Sequence, residues 1–326
     1  MPEKTMPEKM MTAVRVHRVG GPEVLVPEEV PVPEPGPGDV LVRVHAAGLN
    51  PPDWYARSGY SVIPEDLRPK RTLPFTPGTD VSGVVAALGP GVTEWQVGDE
   101  VFGLLRFPEG GGRAYAEYTT APASHLARKP AALDHVEAAG VPMAGLTAYQ
   151  FLFDLVRLEP GRTVLVNGAA GGVGHFLVQL ARTKDARVIG VASGRHERFL
   201  RDLGVDEFVD YTVTAAEDVV RGVDHLFDTV GGPHGHRFLA VVRRGGTISP
   251  VFLGEYHRDR AAELGITFVF GQVRSDGAQL AELARLADAG RLRVGVDSVF
   301  PLADAAKAHE RAERGHIQGK IVLRVA

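Results

Sequence analysis

The chain has 326 residues, a formal net charge of -4, 44% hydrophobic residues and 23% charged residues. This length accommodates about two domains, and the balance excludes a disordered or fibrous chain and, with no basic block, a dedicated electrostatic nucleic-acid binder. No apolar run approaches the ~18 residues of a membrane span, and the absence of cysteine excludes disulfides, iron-sulfur clusters, thiol nucleophiles and thiolate-ligated zinc.

Residues 1–11, MPEKTMPEKMM, form a charged near-duplication with neither an apolar core nor a small-residue cleavage site. They read as a disordered lead, and the protein as cytoplasmic. From Ala13 to Val44 valines alternate with polar residues, interrupted by Pro27, Pro31, Pro33, Pro35 and Pro37, the pattern of short strands joined by rigid turns. Strands are predicted over 81–88, 99–104 and 115–120. Gly110-Gly111-Gly112 reads either as a flexible loop or as a structural turn.

After Asp134 short β-branched runs alternate with amphipathic segments. The pattern predicts helix over 135–158 broken at Pro142, strand over 163–167, helix over 173–184, strand over 187–192 and helix over 197–203. Further strands are predicted at 207–211, 223–228, 247–251 and 266–270, followed by a helix over 276–289. Such alternation implies an α/β fold with a doubly wound parallel sheet. The end of the chain returns to β character at 296–299 and 319–325 around a helix over 302–314, so the C-terminus is expected to rejoin the first domain.

Residues 163–174 read TVLVNGAAGGVG, a strand running through a glycine loop directly into a helix, which is the context of a dinucleotide-binding turn. Gly171 lets the backbone approach a pyrophosphate, Gly174 permits close helix and strand packing, and the N–H groups of Gly172 and Val173 point outward at the helix start. The first position of the G-x-G-x-x-G pattern is read as Ala169. An NAD site places an acidic residue about 20 positions on, at the end of the second strand. Here Ser193 and Arg195 stand there instead and suit a 2′-phosphate, so NADPH is expected as cofactor.

The late glycine loop, after a β-rich stretch of about 130 residues, gives the chain a resemblance to the medium-chain dehydrogenase/reductase superfamily, most closely its zinc-independent quinone oxidoreductase branch. Residues 47–60 (AGLNPPDWYARSGY), 77–85 (PGTDVSGVV), 97–102 (VGDEVF), 145–149 (GLTAY) and 319–323 (GKIVL) carry it in the expected order. The resemblance implies a GroES-like catalytic domain over 1–134 and 274–326 and a Rossmann domain over 135–273. It departs from the zinc-dependent branch in lacking the catalytic cysteine, in placing Thr79-Asp80 where those relatives have His-Glu, and in lacking the four-cysteine lobe. No metal site is expected.

The same resemblance assigns roles. Asn50 and Tyr55 line the substrate and nicotinamide pocket, and Thr147 bonds the carboxamide. Ser193, Arg195 and Tyr211 surround the adenosine 2′-phosphate. Val230 with Gly231 and Gly232, the turn containing Val251 and Phe252, and Phe270, Gly271 and Gln272 border the nicotinamide, while Lys320 closes over the cofactor. The implied reaction is hydride transfer to a quinone or to the β-carbon of an α,β-unsaturated carbonyl, and the resemblance also implies a homodimer. An enoyl-thioester reductase, with Arg68, Lys70 and Arg71 at the cleft mouth, and a non-catalytic NADPH-binding protein are the alternatives. Asp53 and Arg57 read as a local ion pair, and His234-Gly235-His236 as a helix start rather than a metal site.

Overall fold

A computed structural model describes residues 9–61, 63, 65–69 and 72–326. Strands β1 (Met10–Val16) and β2 (Leu25–Pro31) form an antiparallel hairpin. Residues 1–8 of the expected disordered lead lie outside the described residues, but its last part is ordered. Met11 is buried and pairs with Val30, because the alternating pattern starts there rather than at Ala13.

The seven-stranded sheet combines β3 (Asp39–Leu49), β4 (Asp80–Leu88), β5 (Glu100–Leu104), β6 (Tyr118–Pro122) and β7 (Leu126–Arg128) with the C-terminal β14 (Val296–Pro301) and β15 (Lys320–Arg324). Its order is β14-β15-β3-β4-β5-β7, with β6 also on β3. The antiparallel contact of β15 with β3, Ile321 opposite Leu49, brings the end of the chain back to its beginning.

The second sheet contains β8 (Thr163–Asn167), β9 (Arg187–Ala192), β10 (Glu207–Asp210), β11 (Val223–Asp228), β12 (Val242–Pro250) and β13 (Thr267–Phe268). Every pairing in it is parallel, in the order β10-β9-β8-β11-β12-β13. This is the doubly wound nucleotide-binding order, which reverses between β8 and β11 and opens a crevice at their carboxyl ends. Val164, Leu165 and Val166 are wholly buried, as expected of a parallel strand covered on both faces.

Helix α1 (Pro51–Arg57) follows β3, and α2 (His135–Ala139) and α3 (Pro142–Tyr149) lead toward β8. Pro142, which has no N–H to give, occupies the first turn of α3, so the predicted break falls where the ring is tolerated. The chain then continues as a π-helical turn, Gln150–Leu155, which periodicity did not reveal. Helix α4 (Gly174–Arg182) starts at the glycine loop. Between β7 and α3 packs the helix Gly277–Asp288, whose start is capped by the Asp276 carboxylate accepting from Gln279 N at 3.0 Å. A helix at Arg258–Glu263 fills the segment between the strands predicted at 247–251 and 266–270. At the glycine triplet Gly110 N donates to Arg106 O at 2.7 Å, and Gly112 is closely packed, since a Cβ there would lie 2.6 Å from the Gly78 carbonyl oxygen. His234 and His236 sit at the start of the 3-10 helix Gly235–Ala240.

Candidate active site

A cavity of about 1240 Å³ lies between the carboxyl ends of the parallel sheet and the face of the seven-stranded sheet bearing α1. Ten of the residues singled out above line it together: Asn50, Tyr55, Thr147, Val173, Val230, Val251, Phe252, Phe270, Gly271 and Gln272. Ala169, Gly171, Gly172, Gly174, Ser193, Arg195, Tyr211 and Lys320 do not line it.

The glycine loop explains part of this division. Gly168 has φ +75°, and a Cβ there would lie 2.4 Å from Thr229 Oγ1. It is Gly168, not Ala169, that makes the tight turn required after β8. Ala169 is buried, with its methyl toward Gly190 on β9, so it faces away from any ligand. A Cβ on Gly174 would stand 2.2 Å from Gly168 O, which is the close helix approach expected of that position. Gly171 N donates to Gly168 O at 3.0 Å, while among the described residues no backbone carbonyl accepts from Gly172 N or Val173 N. Two free donors beside the start of a nine-residue helix suit a pyrophosphate.

On the neighbouring strands, Ser193 follows β9 and Tyr211 follows β10. Tyr211 N donates to Ala192 O at 3.2 Å, which puts the two strand ends side by side. Arg195 is turned toward the C-terminal segment, donating to His316 O at 2.5 Å and to His196 Nε2 at 3.0 Å. The end of the second strand itself carries no carboxylate, but the fold brings one beside it. The third strand of this sheet delivers Asp210, whose Oδ2 lies 2.3 Å from where a Cβ on Gly194 would be. Bonds from the Thr212 hydroxyl and N–H hold Asp210 below the usual carboxylate range. A reading along the second strand alone cannot see a residue brought in by the third.

Asn50 follows β3 and caps α1. Its Nδ2 donates to Asp80 Oδ2 at 2.9 Å, and its Oδ1 accepts from Lys320 Nζ. Lys320 Nζ also donates to Leu49 O at 3.0 Å and stands 3.8 Å from Asp80 Oδ2. The other oxygen of Asp80 accepts from Met143 N, in the first turn of α3, at 2.9 Å. All three side chains are buried. Burial pushes Asp80 up to about 6, opposed by the Lys320 charge and the Asn50 bond, and burial lowers Lys320. Lys320 therefore reaches beneath Asn50 rather than over the cofactor surface, which corrects the role given to it.

Asp53 is also buried. It accepts from Asn50 N at 2.9 Å and Gly78 N at 3.1 Å, and desolvation raises it to about 7. The expected partnership with Arg57 is replaced, since Arg57 pairs with Glu313. Tyr55 stacks on Phe252, and burial raises its phenol above the ordinary value, so it is protonated at neutral pH. Thr147 Oγ1 donates to Met143 O at 2.7 Å. Arg68 bonds its own loop at Ile63 O, while Lys70 and Arg71 lie outside the described residues.

Asp228, at the end of β11, was not foreseen. Its Oδ1 accepts from Asn167 Nδ2 at 2.8 Å, Val230 N at 3.0 Å and Gly231 N at 3.1 Å, and its Oδ2 from Tyr256 hydroxyl at 2.8 Å. It thus ties the two central strand ends to the loop bordering the cavity. A strand ending in Asp immediately before Thr-Val-Gly-Gly was the available signal. Asp80 had a comparable one in Pro77-Gly-Thr-Asp80.

Residues 36–131 match the family described as "Alcohol dehydrogenase GroES-like domain" and residues 203–323 that described as "Zinc-binding dehydrogenase". The human quinone oxidoreductase is 31% identical over 97% of this chain and 98% of its own length. The structure of the quinone oxidoreductase from Coxiella burnetii superposes with a TM-score of 0.87 at 34% identity, covering 98% of this chain and 100% of that one. The mycobacterial protein Rv1454c, solved in complex with NADPH, superposes with a TM-score of 0.81 at 31% identity over 97% of this chain and 100% of its own.

Proposed function

Because the chain belongs to the quinone oxidoreductase branch of the medium-chain dehydrogenase/reductase superfamily and is an NAD(P)H-type oxidoreductase, we propose that it uses NADPH to reduce a quinone or the activated double bond of an α,β-unsaturated carbonyl. The observation that carries this reading is the state of Asn50. Its amide oxygen is held by a cation and one N–H by a carboxylate, so the group it retains for the cavity is a single N–H. A side chain restricted to donating suits an acceptor whose oxygen gains negative charge.

A bound reduced nicotinamide supplies the hydride. This chain's residues bind, orient and stabilise. Gly172 N and Val173 N suit the pyrophosphate, and Ser193, Arg195 and Tyr211 the 2′-phosphate, with the Asp210 carboxylate already engaged by Thr212. Phe252 and Tyr55 offer an aromatic wall for a planar acceptor, and Asn50 supports developing enolate or hydroquinone oxygen charge. The Tyr55 phenol is the proton donor we favour. Zinc has no part on this reading. The position that follows Pro77-Gly78 is Thr79, and the next, Asp80, is fully engaged by Asn50, Lys320 and Met143 N.

We also propose the domain boundaries 1–134 with 274–326 and 135–273, and a homodimer paired through an edge strand of the parallel sheet, whose edges are β10 and β13. The function is tested by following NADPH absorbance with ortho- and para-quinones, alkenals, cyclic enones and an enoyl thioester, each repeated with NADH and with EDTA. NADPH-specific, EDTA-insensitive turnover of quinones or enones is expected. Turnover confined to the thioester, or saturable NADPH binding with no acceptor reduced, overturns the reading.

A further inference from the structure

Lys320 has no assigned role that fits its position. It is a lysine 4% exposed, on a strand of one sheet, with its stem against the nucleotide loop of the other. A Cβ on Gly172 would lie 3.3 Å from Lys320 Cδ, and the preceding Gly319 N donates to Ala170 O at 2.8 Å. The ammonium ends on Leu49 O and Asn50 Oδ1. One side chain therefore spans from beneath the phosphate-binding turn to the residue that faces the acceptor.

We propose that Lys320, together with Asp80, is a positioning residue for Asn50, holding its amide so that only an N–H faces the acceptor. This rests on the reductase reading above and deepens it. An asparagine amide is nearly symmetric in shape and, left alone, presents its oxygen or its nitrogen with similar ease. Here a rotation of 180° would bring the amide oxygen against Asp80 Oδ2 and the NH₂ against the Lys320 ammonium, two repulsive contacts in a buried site. The flip is thereby forbidden, and the cation on the amide oxygen strengthens the remaining N–H as a donor through polarisation. Burial of the lysine is tolerated because Asp80 and the Leu49 carbonyl satisfy it.

A second consequence concerns the cofactor. A lysine engaged by Leu49, Asn50 and Asp80 is not a phosphate ligand, so its loss should spare NADPH affinity. Its loss should lower turnover by releasing Asn50.

The test measures kcat, the acceptor KM and the NADPH dissociation constant for Lys320→Met, Lys320→Arg, Asn50→Ala and the pair Asn50→Ala/Lys320→Met. Lys320→Met should lower kcat by about 10- to 100-fold and leave the NADPH dissociation constant within about 3-fold. Lys320→Arg should recover part of the loss. In the Asn50→Ala background Lys320→Met should change kcat by less than about 3-fold, because its effect passes through Asn50. Lys320→Met leaves Asp80 buried without its cation, so Lys320→Met/Asp80→Asn, which removes both charges, supplies a folded alternative and should show the same loss of kcat. A rise in the NADPH dissociation constant with kcat unchanged, or additive effects in the Asn50 cycle, overturns the proposal. A wild-type protein that reduces no acceptor overturns the reductase reading instead, and that outcome is seen before any variant is made.

Discussion

Tyr55 and Phe252 stack across the cleft, with ring centroids 5.6 Å apart and planes inclined by 22°. Tyr55 belongs to α1 and Phe252 to the turn after β12, so this aromatic contact joins the two halves at the cavity they enclose. The pair separates two properties that substitution can address one at a time. Tyr55→Phe keeps the ring and removes the hydroxyl. It should lower kcat for enones by about 10-fold, less than the usual contribution of a general acid because solvent can partly replace it, and leave the NADPH KM unchanged. Phe252→Ala should raise KM for polycyclic quinones several-fold through lost stacking area. Steady-state kinetics on the two variants distinguishes the roles, and a Tyr55→Phe enzyme with unaltered kcat would remove the phenol from the chemistry.

Arg195 decides cofactor preference on this account. Arg195→Ala should raise the NADPH KM by about 10-fold or more, as expected for loss of one charge-assisted bond of roughly 1.5–3 kcal/mol, with little effect on the NADH KM. Equal changes for both cofactors would show that its bond to His316 O, not a 2′-phosphate, is what matters.

How much of this was legible in the sequence depends on the range of the interactions. The order of elements was readable because each carries its own local signal. The central strands β8 and β9 are near-continuous apolar runs, at 164–166 and 188–192, Pro142 marks a helix start, and the glycine loop sits between a strand and a helix. Asn50 and Tyr55 were readable from a motif. The carboxylates that organise the site were not. Asp53 and Asp80 act because distant backbone N–H groups, Gly78 to Asp53 and Met143 to Asp80, are brought to them by the fold, and Asp228 because the distant side chains of Asn167 and Tyr256 are. Lys320 was noticed and misread for the same reason, since nothing in residues 319–323 says that β15 pairs beside Leu49. Ala169 was misread because the turn glycine, Gly168, lies one place earlier than the strict pattern demands.

Acid stability provides an independent check on the core. His309 is fully buried, its Nδ1 has no partner among the described residues, and burial with the nearby Arg57 charge lowers it to about 3. A folded-state value depressed below the ordinary one means that stability is fully present above about pH 6.5 and is lost as the pH falls toward 3. His309→Phe keeps a ring against Tyr115 and removes the titration. Urea unfolding should therefore show the variant gaining about 1–2 kcal/mol on the wild type between pH 7.5 and pH 5. Parallel pH profiles would place the acid sensitivity elsewhere, His175 being next, since burial lowers it to about 4.

The Asp228 hub should be a stability hot spot. Asp228→Ala strands the side chain of Asn167, the N–H groups of Val230 and Gly231 and the hydroxyl of Tyr256, and each unpaired buried polar group costs about 1–3 kcal/mol. Thermal unfolding should show a loss of at least about 2 kcal/mol together with a raised NADPH KM. A variant as stable as the wild type would mean that water replaces the carboxylate.

The central claim is that hydride passes from NADPH to an electron-poor carbon in the cavity that Asn50 lines. The direct measurement is turnover of a cyclic enone with NADPH carrying deuterium at the transferring C4 position, with the product analysed by NMR. The account predicts one deuterium on the former β-carbon and none on the α-carbon, and a loss of that labelled product in Asn50→Ala. Consumption of NADPH with no deuterium in the product, or binding of NADPH without its consumption across enones and quinones, would contradict it.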